Sequence, residues 1–116
     1  MKPDVGAFYQ QWDQDQGKMQ ELLPNVMRGF GGMFQAIMKA GALTVREKEL
    51  IALAVGVAVP CIPCINLHVR KCLQAGATRE EVLEAAGVTV MMRGGPSLTH
   101  IPQVIAALEH CETKQA

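Results

Sequence analysis

The sequence predicts an all-α domain: a compact bundle of five or six short helices. Three observations carry that expectation. Apolar residues recur at steps of three and four along most of the chain. No segment sustains period-2 alternation, and neither Asn-Gly nor Asp-Gly, the strongest hairpin dipeptides, occurs. Two segments, Thr44-Val45-Arg46-Glu47 and Thr78-Arg79-Glu80-Glu81, carry both halves of a capping box, a Thr N-cap with Glu three residues on.

The elements follow in order. Phe8, Trp12, Met19, Leu22 and Leu23 share one stripe, and Pro24 marks a break after it. Met27, Phe30, Phe34, Ile37 and Met38 continue at helical steps, with Gly41 as the expected C′ glycine. Thr44 opens an apolar helix to about residue 58. Residues 60–75 read as the next helix, closed by Gly76. Thr78 opens another to about residue 92, and Gly94-Gly95-Pro96 breaks it. Leu98, Ile101, Ile105 and Leu108 mark the last, in which Pro102 either kinks or restarts the helix. No repeat and no linker interrupts residues 1–116, which read as one domain.

Composition narrows the function classes. The 116 residues carry 11 Lys+Arg against 11 Asp+Glu, so the chain lacks the cationic excess of a nucleic-acid binder. Aromatics make up only 4%, too few for base-stacking platforms. Zero net charge and 49% apolar residues favour self-association. The longest uncharged apolar run, Leu50 to Ile65, contains Pro60 and Pro63 and is 16 residues long. That is short of a bilayer span, so a buried core helix is expected and no membrane partner. The polar, Gln-rich start lacks the apolar core of a secretory signal, and the cytoplasm is the expected compartment. There, cysteines are reduced, catalytic or metal-bound more often than they are structural bridges.

The chemistry concentrates between Glu49 and His68. Eleven residues follow Glu49, then come Cys61-Ile62-Pro63-Cys64, three more residues and His68. With Pro60 near the helix start, Cys61 and Cys64 share the first turn, and a bridge between neighbours at i and i+3 is sterically allowed. Pro63 is tolerated there because its missing N–H has no partner within the helix. The helix N-terminus favours a thiolate. His68 falls on the same face, four residues past Cys64. The helix before the cysteines and the one that begins at them are joined by a very short turn, so they run antiparallel. Glu49, about nine residues before the turn, and His68, about eight after it, then lie at one level. Glu47 is committed to its capping box, which leaves Glu49 to orient the imidazole.

Magnitudes favour the relay over the dipole. Lowering a thiol pKa from about 8.5 to about 6.5 raises the thiolate fraction at neutral pH roughly 25-fold, but intrinsic nucleophilicity falls roughly 8-fold. The net gain is about threefold, whereas a positioned proton donor contributes about 10²–10⁴.

The pattern Glu-x11-Cys-x2-Cys-x3-His resembles the alkylhydroperoxidase D-like branch of the carboxymuconolactone decarboxylase family. Supporting context is Gly41-Ala42-Leu43-Thr44, the segment from Gly76 through Val82, and Met92-Arg93-Gly94-Gly95-Pro96. The likeness spans roughly residues 20–110. It implies an all-helical single-repeat fold and a thiol-dependent peroxidase or disulfide reductase without a cofactor or metal. In that resemblance Cys64 forms the sulfenic acid, Cys61 donates a proton and then becomes its disulfide partner, and Glu49 and His68 form the proton relay. The implied partners are a small hydroperoxide or a partner protein's disulfide, and an external dithiol reductant. The implied assembly is a trimer of dimers. The fuller peroxidase motif has a histidine immediately before the second cysteine. Pro63 stands there instead, which favours dithiol–disulfide exchange.

Two other readings stay open. One is a cofactor-free decarboxylase-type lyase using His68 and an arginine such as Arg93. The other is a non-enzymatic oligomeric metal-binding domain, with Cys72 as a strained fourth ligand to Cys61, Cys64 and His68. Taken alone, Cys72 reads as a core residue, Cys111 as an exposed thiol and His110 as solvated. His100 faces either a cavity near the cysteines or solvent. The methionines, among them Met33, Met91 and Met92, read as core and interface filler.

Overall fold

Seven helices and no strand occur among the described residues, 3–115 of this computed structural model. The Asp4 carboxylate accepts the Ala7 N–H at 2.9 Å and opens α1 (Val5–Leu22). Pro24 opens α2 (Pro24–Met38) at its first position, where the lost N–H costs nothing. Both Thr capping boxes form, and they start α3 (Val45–Ala58) and α5 (Arg79–Arg93). Accepting the N-cap backbone N–H holds the carboxyls of Glu47 and Glu81 below the usual carboxylate range. Between them lies α4 (Ile62–Gln74), ended by Gly76 at φ 92°. A one-turn helix, α6 (Gly95–Leu98), follows Gly94 at φ 71°. In α7 (Ile101–Gln115) Pro102 sits at the second position, so it starts the helix and does not kink it. The all-α expectation holds.

The core lies where α3, α4, α5 and α7 meet. Leu53 and Val57, Ile65 and Val69, Val82 and Ala86, and Val104 and Leu108 are fully buried there. Fully burying one such side chain is worth about 1.5–3 kcal/mol, which makes these four helices a firm base for the site. Tyr9 ties α1 to this base. Its hydroxyl donates to the Asn66 carbonyl and lies 3.6 Å from the Cys111 sulfur, while the Arg70 guanidinium covers its ring at 4.3 Å. The Asn66 side chain accepts from Gln103 Nε2 at 2.8 Å, joining α4 to α7.

Four expectations need correction. Residues 50–65 are not one buried core helix. They form the second half of α3, a turn and the start of α4, and Ile51, Val55, Val59 and Ile62 stay exposed. Cys111 is buried, because α7 continues past it and Tyr9 packs on it. His110 is half-buried against the Tyr9 ring, with centroids 5.6 Å apart. Gly41 is not a left-handed C′ residue, since α2 ends earlier, at an extended Lys39. Met33, Met91 and Met92 are also exposed in the protomer. α2 buries none of its residues. The radius of gyration, 14.5 Å, exceeds the roughly 13 Å expected of a compact chain this long.

Candidate functional site

Cys61 is the N-cap of α4, in extended conformation, and its sulfur accepts the Cys64 N–H at 3.2 Å. A Cys N-cap does the work usually given to Ser or Asp. It also brings the sulfurs together: the two Cα atoms are 5.2 Å apart and the side chains are joined as a disulfide. Both cysteines are partly exposed. Pro63 occupies the second helical position, as the spacing requires.

One glycine fixes the pair from the neighbouring helix. The Gly56 carbonyl, in the last turn of α3, accepts the Cys61 N–H at 2.9 Å. A Cβ on Gly56 would stand 3.1 Å from the Cys64 Cβ. The absent side chain thus lets α3 approach the first turn of α4 closely. The sequence held a signal for this, since Gly in an apolar helix interior costs about 1 kcal/mol against Ala and needs a reason.

Further along the same two helices, His68 Nδ1–H donates to Glu49 Oε1 at 2.7 Å. The Glu49 side chain is 6% exposed and that of His68 19%, so the contact is shielded from water. A carboxylate acceptor fixes the proton on Nδ1 and leaves Nε2 as the exchangeable nitrogen. Gly56 meets Cys64 and Glu49 meets His68, so α3 and α4 run antiparallel. All four residues singled out from the sequence, Glu49, Cys61, Cys64 and His68, therefore lie on this one helical hairpin.

Cys72, one turn past His68, is fully buried. Burial first, and the Glu49 charge second, push its thiol up to about 12, so it stays protonated near neutrality. Burial likewise raises Cys111. Among the described residues no group of three or more His, Cys, Asp or Glu side chains could hold a metal ion. His100 is partly buried, and its Nδ1–H donates to the Pro96 carbonyl at 2.7 Å, closing α6. Arg93, the last residue of α5, donates from Nε to the Ala58 carbonyl at 2.8 Å. Spacing alone gave no sign of that long-range contact.

Comparison with known proteins identifies the family and the fold. Residues 24–108 match the sequence profile of the carboxymuconolactone decarboxylase family. An uncharacterised protein of Cupriavidus necator is 32% identical over 90 residues, covering 78% of this chain and 80% of that one. A protein from the cox locus of Paracoccus denitrificans is 35% identical over 83 residues, covering 72% and 75%. Among solved structures, a carboxymuconolactone decarboxylase family protein from Legionella pneumophila superimposes with a TM-score of 0.88 at 37% identity, over 92% of this chain and 96% of that one. A Thermotoga maritima family member, suggested to take part in an antioxidative response, aligns with a TM-score of 0.79 at 24% identity, over 90% of each chain. With the family profile spanning most of the chain and two relatives above 30% identity over more than two-thirds of it, this protein belongs to the carboxymuconolactone decarboxylase family.

Proposed function

We propose that the protein is a thiol oxidoreductase of the alkylhydroperoxidase D-like kind. The observation that carries the reading is the shielded Glu49–His68 hydrogen bond on the helical hairpin whose second helix opens with Cys61 and Cys64. In the reduced enzyme the Cys64 thiolate attacks the terminal oxygen of a hydroperoxide. The O–O bond breaks, Cys64 becomes a sulfenic acid and the leaving alkoxide takes a proton from His68. Cys61 then attacks the Cys64 sulfur, water leaves and the disulfide forms. Two electrons and two protons from an external dithiol restore the thiols. The same pair exchanges with a partner's disulfide through a mixed disulfide on Cys64. Pro63, next to Cys64, favours this second activity.

Three tests decide the matter. Cys64→Ser, assayed for hydroperoxide consumption with a dithiol reductant, abolishes turnover; undiminished turnover refutes the assignment. Mass spectrometry after mild peroxide treatment finds the first oxidised sulfur on Cys64. Activity that survives thiol alkylation belongs instead to a lyase of the decarboxylase type.

The assembly and compartment belong to the same proposal. α2 leaves Val26, Phe30, Met33 and Ile37, spaced four, three and four, more than half exposed on one face. A face of that spacing fits a second copy of itself, as part of a trimer of dimers. No described helix is long and apolar enough to cross a membrane, and the cytoplasm is the proposed location.

A further inference from the structure

We propose that Arg93 selects anionic disulfides for the Cys61/Cys64 pair, an inference that rests on the thiol-exchange reading above. Two groups hang from the C-terminal carbonyls of α3. The Gly56 carbonyl holds the Cys61 N–H at 2.9 Å, and the Ala58 carbonyl holds Arg93 Nε at 2.8 Å. Carbonyl oxygens two residues apart on a helix are about 5 Å from each other, so the guanidinium and the Cys61 backbone sit within about 10 Å. The cation and the Cys61 backbone are therefore both anchored on the last turn of α3, although α5 carries the cation.

Its partners set it apart from Arg46, Arg70 and Arg79; Arg28, on α2, has only the Asn25 side-chain oxygen at 3.2 Å and is not held by α3. Arg46 and Arg79 are matched by Glu81 at 2.8 Å and Glu112 at 2.6 Å. Arg70 lies over the Tyr9 ring and 3.7 Å from Asp13. Arg93 is exposed, and among the described residues no carboxylate pairs with it. Its Nε contact fixes the plane of the head group and leaves both terminal amino groups uncommitted. That is the fork which grips a carboxylate through two parallel hydrogen bonds. On the relay side the imidazole already faces the Glu49 carboxylate. A small disulfide that carries carboxylates beside its sulfurs would be held by Arg93 while its sulfur meets Cys64.

The chemistry balances without a further reactant. The Cys64 thiolate of the reduced pair attacks one sulfur of the bound disulfide, forming a mixed disulfide and releasing one thiolate, which takes the His68 proton. Cys61 attacks Cys64 and expels the second thiolate, which leaves with the Cys61 proton. The protein dithiol is oxidised to its disulfide, and one small disulfide becomes two thiols.

The test uses the pre-reduced full chain in single turnover, with oxidised glutathione as the anionic probe and bis(2-hydroxyethyl) disulfide as the neutral one. Arg93→Ala should raise the half-saturating concentration of oxidised glutathione about tenfold, with its limiting rate unchanged. The neutral disulfide should not respond, and Arg93→Lys should recover part of the loss. Equal changes for both probes would show that Arg93 only caps α3 and would overturn the proposal, as would no change for either. Should Arg93→Ala not fold, wild type in rising salt gives the same answer: its preference for the anionic probe must shrink, and a preference that salt does not move refutes the contact. A wild-type pair that reacts with neither probe sinks the thiol-exchange reading itself. Exchange with the anionic probe that ignores Arg93 sinks only the present inference.

Discussion

Gly56→Ala tests whether the cysteine pair is held by the close approach of two helices. The new methyl carbon would stand 3.1 Å from the Cys64 Cβ, 3.5 Å from the Cys64 carbonyl carbon and 3.6 Å from the Ile65 nitrogen. Carbon atoms rest at about 3.5–4.0 Å, so α3 and the first turn of α4 must part by roughly 0.5 Å. Neither side yields easily, because two of the three neighbours are backbone and the third is anchored by the bridge to Cys61. Overpacking of this kind costs about 1–3 kcal/mol, against about 1 kcal/mol gained by replacing a mid-helix glycine. Gly17 provides the control, since a Cβ there meets nothing within 4 Å. Gly17→Ala keeps the propensity gain and escapes the strain. The two variants should therefore differ by about 1–3 kcal/mol in urea denaturation at matched protein concentration, or roughly 4–12 °C in melting temperature. The same displacement moves Cys64 against Cys61, so Gly56→Ala should also alter the rate at which the reduced pair is alkylated. If Gly56→Ala stabilises the protein as much as Gly17→Ala, close packing on Cys64 is not what requires glycine there.

Other perturbations read other parts of the structure. His68→Ala should slow oxidation of the reduced pair by about 10²–10⁴, followed by stopped-flow loss of free thiol. Glu49→Gln keeps the shape but removes the charge, and should cost a smaller factor with little change in helicity. Cys72 titrates near 9 when unfolded and near 12 when folded, and a folded value raised above the unfolded one makes stability fall as pH rises between them. Burial raises Tyr9 and Cys111 in the same direction. Urea midpoints should therefore decline from about pH 9 toward 12, and Cys72→Ala should flatten part of that decline; an unchanged slope would contradict the assignment. Phe30→Glu on α2 should convert the assembly to smaller species in light scattering, whereas wild type running as a lone 12.6 kDa chain would remove the basis for self-association.

Features set within one helix, or across one short turn, were legible in the sequence. The Thr44 and Thr78 boxes involve partners three residues apart, so the chain itself enforces them. Glu49 and His68 are 19 residues apart, yet helical rise and a short turn were enough to bring them level. What escaped depends on packing between distant segments. Tyr9 covers Cys111 across 102 residues, so a thiol in a polar segment became a buried one. Arg93 reaches Ala58 across 35 residues, and no spacing rule predicts a side chain on a foreign carbonyl. Gly56 lies between these cases. Its position in an apolar helix was visible, but its reason is an atom on the next helix.

Periodicity also says that a helix face is covered without saying by what. The stripe on α2 and the stripe on α3 look alike in sequence. Leu53 and Val57 of α3 are fully buried within the protomer, while Val26, Phe30, Met33 and Ile37 of α2 are not. A 15-residue helix containing Gly29, Gly31 and Gly32 is marginal in water on propensity alone. Most helical stability in proteins comes from packing an apolar face against something. Inside the protomer α2 receives little of that, apart from contacts such as the Lys71 ammonium 5.1 Å from the Phe34 ring centre. In the proposed assembly, association and the folding of α2 are one event, and the surface that the lone chain leaves open becomes the core of the oligomer.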